Sequence, residues 1–322
     1  MDRIICVAGP TASGKTALAV SLAELTNGEV ISCDSMQFYR GMDIGTAKPT
    51  AEEMRGIPHH MIDCADPCEN FSVSRYCDEA SAVIDRILEN GHTAVVAGGT
   101  GLYMDALISG RSFAASPAPG MREALEQEAD RTGMEAMLEQ LREIDPEAAG
   151  RLHVSDRKRI LRALEVYRQT GETITAHNLK TQSVPPRYDA CWLAIDFADR
   201  ADLYARINRR VDIMLQRGLL DEIRCLLEAG VPQDCTALQA IGYKEFIGAL
   251  KGECTVDEAA EQVKQSSRRY AKRQLTWFRR NPRINWLIRN ADSTDADVTA
   301  LAVNSLQACG FPFVRLQPYM NF

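Results

Sequence analysis

The sequence comprises 322 residues, with 37 Lys and Arg against 44 Asp and Glu, a formal charge of −7 and a pI near 5.4. That balance excludes a general nucleic-acid coat protein, which carries a net positive field, but leaves room for an enzyme with a local basic face. With 45% apolar and 25% charged residues, the chain reads as an ordinary globular protein of about two domains, at roughly 150 residues each.

Arg3–Ala8 is predicted to be a buried strand, too short for a signal-peptide core or a membrane span. A glycine-rich turn over 9–14 follows, then a helix from Lys15 to about Leu25 with Leu18, Ala19, Leu22 and Leu25 on one face. Glu29–Cys33 is a second short strand ending at Asp34, and His60–Asp63 a third. From Ser74 to Asn90, Cys77, Ala80, Ile84, Ile87 and Leu88 recur at helical spacing, with Gly91 placed to end the helix. Thr93–Ala97 is another apolar strand, closed by Gly98-Gly99-Thr100-Gly101. Apolar strands alternating with helices predict an α/β fold with a parallel sheet covered by helices on both faces.

Composition then shifts. Ser116-Pro-Ala-Pro-Gly120 is a breaker cluster, and 122–147 is helical and acidic, with nine Asp/Glu against three Arg. A helix over about 156–170 ends at Gly171, and Val184-Pro185-Pro186 is a linker. Cys191–Phe197 reads as a strand returning to the first sheet. A helical insertion over 116–188, within a core made of 1–115 and 189–322, accounts for this order. The last third is helical at 201–217, 219–229 and 256–278, the last opened by the capping box Thr255-x-x-Glu258. Arg283–Leu287 is a closing strand.

The ten cysteines are scattered, with no C-x-x-C pair. Cys64 and Cys68 near His59-His60 form the one grouping with metal-ligand chemistry, but they lack a second pair at zinc-like spacing and read as ordinary thiols. Free thiols and no export signal imply a cytoplasmic protein.

Gly9-Pro10-Thr11-Ala12-Ser13-Gly14-Lys15-Thr16 matches the phosphate-loop pattern G-x-x-x-x-G-K-[ST], with a strand before it and a helix after. Backbone N–H groups and the helix N-terminus favour phosphate oxygens, Lys15 adds a charge, and Thr16 can ligate Mg²⁺. No guanine-reading N-K-x-D is present, and Thr93–Ala97 runs into glycine rather than a Walker-B carboxylate. A kinase-like or transferase use of the loop therefore fits better than mechanical NTP hydrolysis. Asp34 ends a strand at the crevice edge, where it can take a proton, hold Mg²⁺ through water or simply cap a turn. The Gly98–Gly101 turn, with the Thr100 hydroxyl, leaves the same sheet edge. Arg206 and Arg210, at i and i+4, share one helical face and can add positive charge or lie on solvated surface. Lys264 to Arg283 carries eight Lys/Arg and no acid, interleaved with Tyr270, Trp277 and Phe278, a composition suited to RNA.

Taken together, Gly9–Thr16, Asp34–Pro49, Gly98–Tyr103, Arg157–Glu165, Gly242–Glu245 and Lys272–Arg279 resemble the tRNA dimethylallyltransferase (tRNA isopentenyltransferase) family, in the family's order and over nearly the whole chain. The Asp34–Pro49 block is the most specific. The resemblance implies a P-loop core with an inserted helical domain. It also implies transfer of a dimethylallyl group from dimethylallyl diphosphate to N6 of the adenosine 3′ to the anticodon, giving N6-isopentenyladenosine and diphosphate. Asp34 would be the general base, with Thr100 and Arg210 as catalytic partners, residues 9–16 holding the diphosphate, and Mg²⁺ on Thr16. Contacts to the tRNA anticodon stem-loop would come from Asp34, Ser35, Met36, Gln37, Thr100, Arg122, Lys158, Arg159, Ile160, Leu161, Arg162, Gln239, Gly242, Tyr243, Lys244, Lys272, Arg273, Gln274, Trp277 and Arg279. No C-terminal zinc finger of the eukaryotic kind is seen, which implies a compact bacterial-type enzyme, monomeric and not membrane-bound. The competing readings are an isopentenyltransferase acting on free adenine nucleotides, a P-loop small-molecule kinase, and an RNA-binding protein using the loop as a nucleotide switch.

Overall fold

A computed structural model describes residues 2–111, 113 and 118–311. The Ser116-Pro117 part of the predicted breaker cluster lies outside the described residues.

The elements run in chain order as follows. β1 (Arg3–Ala8), α1 (Lys15–Thr26), β2 (Gly28–Ser32), α2 (Ala51–Met54), β3 (His59–His60), α3 (Val73–Glu89), β4 (Thr93–Gly98) and α4 (Gly101–Ser109) make the first part. Five helices follow: α5 (Met121–Thr132), α6 (Met134–Ile144), α7 (Pro146–Ala149), α8 (Arg157–Thr170) and α9 (Ile174–Gln182). The chain then returns through β5 (Asp189–Phe197), α10 (Arg200–Gln216), α11 (Leu219–Glu228), α12 (Lys244–Leu250), α13 (Val256–Phe278), β6 (Ile284–Arg289) and α14 (Asp295–Ala308).

Two compact units result, one of residues 1–108 with 187–322, the other of residues 109–186. In the first, six parallel strands lie in the order β3-β2-β4-β1-β5-β6. Period-two alternation splits the core of β1 in two. Ile4, Cys6 and Ala8 enter one apolar cluster with α3 and α4, while Ile5 and Val7 enter another with α1 and α14. Each fully buried aliphatic side chain contributes about 1.5–3 kcal/mol, and an unbroken apolar run such as Ile4–Ala8 is stable only with both faces covered. The chain passes from β1 to β2 on one side and later to β5 on the other, so the order reverses beside β1. A topological switch point of this kind opens a crevice at the carboxyl ends of the strands.

The second unit is helical, its core built from Leu125, Ala129, Met137, Leu141, Ile160, Leu161 and Leu164. The acidic stretch read as one helical region is three helices, broken at Gly133 (φ 84°) and at Asp145-Pro146.

The predicted third strand is corrected. β3 is only His59–His60, because Met61 (φ 59°) and Asp63 (φ 54°) adopt left-handed backbone that no strand continues through. Asp63 is held there by Lys48, whose Nζ donates to its Oδ1 at 2.5 Å and to Asp43 Oδ1 at 2.7 Å. α2, α4, α9, α12 and α14 are helices beyond those expected from the sequence. The last of these carries its own signal, a capping box between Thr294 and Asp297. Among the described residues no helix is long and apolar enough to cross a membrane.

Candidate active site

The carboxyl ends of β1, β2 and β4 border a pocket of about 520 Å³, within the range of small-ligand sites. Its floor is the turn after β1. Gly14, in left-handed backbone, is the N-cap of α1 and offers no capping side chain, so the first-turn amides of α1 are left to whatever enters the pocket. Ser13 is fully buried, and its hydroxyl finds no partner among the described groups. Thr16, one residue into the helix, lines the same space.

Lys15 folds back so that Nζ donates to the Pro10 carbonyl at 2.7 Å. Burial pulls its pKa down to about 8, with the nearby Arg210 charge adding to the shift and Asp34 opposing it. Arg206 and Arg210 on α10 reach the turn from the side. Arg206 Nε donates to the Ala12 carbonyl at 3.0 Å, and Arg210 Nη1 to Thr11 Oγ1 at 3.4 Å. Both line the pocket, so the i, i+4 pair read from the sequence meets the loop, with Arg206 still exposed to solvent and Arg210 half-buried. Burial lowers the pKa of Arg210, and Asp34 is the main charge opposing it.

Asp34 follows β2 and lines the pocket facing this cationic group. Its Oδ1 accepts from Met36 N at 3.1 Å. The segment is pinned to the end of β4, with Cys33 N donating to Ala97 O at 2.7 Å and Thr100 N to Cys33 O at 3.3 Å. Gly98 makes that approach feasible, since a Cβ there would sit 2.0 Å from the Cys33 carbonyl oxygen. Thr100 Oγ1 accepts from Ser35 N at 3.2 Å, which places its hydroxyl directly over the Asp34 turn.

α13 supplies two residues one turn apart. Tyr270 lines the pocket, and its pKa is pushed up to about 12 by burial and the charge of Asp34, with a contact to Thr100 opposing the shift. It therefore stays protonated. Gln274 is buried and bridges the two glycine turns: Oε1 accepts from Thr11 N at 2.9 Å and Nε2 donates to Gly99 O at 2.9 Å. The resemblance placed Gln274 against RNA, but both ends of its amide are spent on protein backbone. The i, i+4 spacing of Tyr270 and Gln274 was visible in the sequence; their direction was not.

Other expected RNA contacts divide by exposure. On α13, Lys272 and Arg273 are exposed and form no ion pair among the described residues. Arg279 is exposed but paired with Asp196 at 2.9 Å, and Trp277 Nε1 donates to Asp105 Oδ2 at 2.7 Å. Gln37 is tied to backbone, its Nε2 donating to Ala47 O at 3.2 Å. Gln239 and Lys244 are exposed, Gly242 N donates to Glu245 Oε2, and Tyr243 is fully buried. In the helical unit, Lys158 and Arg159 are exposed, while Arg122 and Arg162 pair with Glu165. Ile160 and Leu161 are fully buried in that unit's core, so their side chains offer no surface to a partner.

Residues 37–281 match the family model described as IPP transferase. The chain is 47% identical over 298 residues to a tRNA dimethylallyltransferase of Acetivibrio thermocellus, covering 92% of this chain and 94% of that protein. It is 45% identical over 306 residues to that of Geobacillus thermodenitrificans, covering 95% of each. The crystal structure of a full-length tRNA isopentenylpyrophosphate transferase from Bacillus halodurans superposes with a TM-score of 0.71 at 41% identity, over 96% of this chain and 98% of that one. A eukaryotic dimethylallyltransferase acting on tRNA superposes with a TM-score of 0.82 at 30% identity, over 98% of this chain and 82% of that one. The chain belongs to the tRNA dimethylallyltransferase family, whose relatives of this length and similarity are bacterial enzymes.

Proposed function

We propose that the protein transfers a dimethylallyl group from dimethylallyl diphosphate to N6 of the adenosine 3′ to the anticodon of tRNA. One observation carries this reading: a phosphate loop, two arginines and an unbridged carboxylate converge on one pocket. In the 9–16 loop, the backbone amides of residues 12–16 (Pro10 has none and Thr11 N is held by Gln274), with Lys15, Arg206 and Arg210, would bind the diphosphate and take up the charge that develops as the C1–O bond breaks. Asp34 would accept the N6 proton as the N6–C1 bond forms, which is needed because the N6 lone pair is delocalised into the ring. Thr100, donating through its hydroxyl, would hold Asp34 or the base in register. The adenine must leave its stack to reach C1, at a cost of only a few kcal/mol for a loop nucleotide.

The residues present fit a divalent ion, and Mg²⁺ is the one proposed. Among the described residues no three His, Cys, Asp or Glu are grouped as an all-protein cage. Thr16 and the unpartnered Ser13 hydroxyl face phosphate-binding space, matching an ion shared between one or two protein oxygens, water and substrate phosphates. When bound, it neutralises charge on the diphosphate.

The exposed Lys272 and Arg273 favour a polymeric acceptor over a free nucleotide, which needs no such face. A single chain supplies every residue invoked, which supports a monomer, and a tRNA substrate supports a cytoplasmic location. Purified protein with Mg²⁺ and labelled dimethylallyl diphosphate is expected to transfer label to tRNA carrying adenosine 3′ to the anticodon. Label on AMP alone, or consumption of ATP without prenyl transfer, would overturn the reading.

Lys272→Ala combined with Arg273→Ala is expected to weaken tRNA binding across all sequences. Loss of two phosphate contacts should flatten the slope of log K against log salt by about 1.5. Filter binding between 50 and 200 mM salt, on the order of the range where such slopes are read, checks this. An unchanged slope would remove these residues from the RNA face.

A further inference from the structure

We infer that Glu222 is a positioning residue for the active site, clamping the 43–48 turn that lines the same pocket as the phosphate loop. Ile44, Thr46, Ala47 and Lys48 line the pocket, so the shape of this wall is the shape of the space offered to the substrates. Glu222, half-buried in the first turn of α11, accepts four hydrogen bonds. Oε2 takes Asp43 N at 2.8 Å and Ile44 N at 2.6 Å; Oε1 takes Gly45 N at 3.0 Å and the Tyr243 hydroxyl at 2.7 Å. Three consecutive amides converging on one carboxylate is the geometry by which loops bind anions, here filled from within the chain. Tyr243 completes the clamp. It is fully buried, burial and the Glu222 charge keep its phenol protonated, and its ring packs where a Cβ on residue 45 would lie 2.5 Å away.

Gln37 anchors the turn at Thr46 and Ala47, and Lys48 reaches the Asp43 side chain, but among the described residues the N–H groups of 43–45 are taken up by Glu222. The position therefore demands a charged acceptor at both oxygens. In Glu222→Gln the shape is kept, but one end becomes an NH₂ donor. Turned toward Asp43 and Ile44 it faces two N–H groups; turned the other way it faces Gly45 N–H. Either orientation leaves at least one amide unpaired, and an unmade bond of this kind is costly.

This inference rests on the proposed function, and its test separates the two. In Glu222→Gln, hydrogen exchange of the amides at 43–45 is expected to speed tenfold or more, while the β1 and β4 amides keep wild-type rates. Transfer turnover should fall about tenfold, with affinity for inorganic pyrophosphate in the presence of Mg²⁺ staying within twofold. Tyr243→Phe, which removes one of the four bonds, should lose two- to fivefold, and the double variant should be no worse than Glu222→Gln alone within twofold, because the two act as one unit. Unchanged exchange at 43–45, unchanged turnover, or pyrophosphate affinity falling in step with turnover would each overturn the clamp. If the wild-type protein transfers no prenyl group, the function fails, and the exchange measurement still decides whether Glu222 holds the turn.

Discussion

Asp34→Asn is expected to lower prenyl transfer about 10²- to 10⁴-fold, the range for loss of a positioned general base, with tRNA affinity within twofold of wild type. Asparagine is nearly isosteric and keeps an oxygen to accept from Met36 N, so the turn after β2 retains its shape. What disappears is the negative charge at the pocket, together with the capacity to take a proton from N6. The charge also matters to its neighbours. Asp34 offsets the mutual repulsion of Lys15 and Arg210, so its loss should slightly strengthen, not weaken, binding of the diphosphate. Single-turnover transfer with labelled dimethylallyl diphosphate, run beside filter binding of tRNA, separates the chemical step from binding. A variant that keeps full turnover would remove Asp34 as the base, and one that loses tRNA binding in proportion would make it a contact residue instead.

The parts of this site that could be read from the sequence are those whose chemistry is local. Gly9 to Thr16 lie within one strand-turn-helix unit, so a spacing rule suffices, and Asp34 and Thr100 each lie two residues past the end of a strand whose position in a parallel sheet is dictated by topology. Arg206 and Arg210 were paired by helical spacing, but only packing shows that their shared face meets Ala12 and Thr11. Glu222 could not be read at all, and Gln274, which the resemblance named as an RNA contact, gave no sign of its bridging role. Their partners lie 177 to 179 and 263 residues away, and a buried amide or carboxylate leaves no periodic trace. The same limit explains Ile160 and Leu161. A contiguous motif from Lys158 to Arg162 includes the helix positions that turn inward, and the 3.6-residue repeat assigns those to the core. β3 failed for a different reason. Its apolar pattern was adequate, but left-handed backbone at Met61 and at Asp63, whose carboxylate is bound by Lys48 from another segment, ended it after two residues.

Lys15→Met is expected to weaken binding of dimethylallyl diphosphate about 10- to 100-fold, the range for losing a hydrogen bond from a charged donor, and to abolish the pH dependence of that binding. The wild-type dependence follows from the pocket itself. In the free protein, burial and the Arg210 charge bring Lys15 down to about 8, so above that pH the ammonium is largely deprotonated. A bound diphosphate places negative charge against Nζ and raises the pKa again. Binding above about pH 8 therefore takes up a proton, and affinity falls as pH rises, by about tenfold between pH 7 and pH 9 when the bound-state value lies above 9. Below about pH 7 the lysine is charged in both states, and its contribution to the pH dependence vanishes. Calorimetry at pH 8.5 in two buffers of different ionisation enthalpy would count the proton directly: uptake of a substantial fraction of one proton in the wild type, and none attributable to residue 15 in the methionine variant. A flat wild-type profile from pH 7 to 9 would mean that Lys15 remains fully charged in the free pocket, and that its bond to the Pro10 carbonyl outweighs burial and the neighbouring arginine.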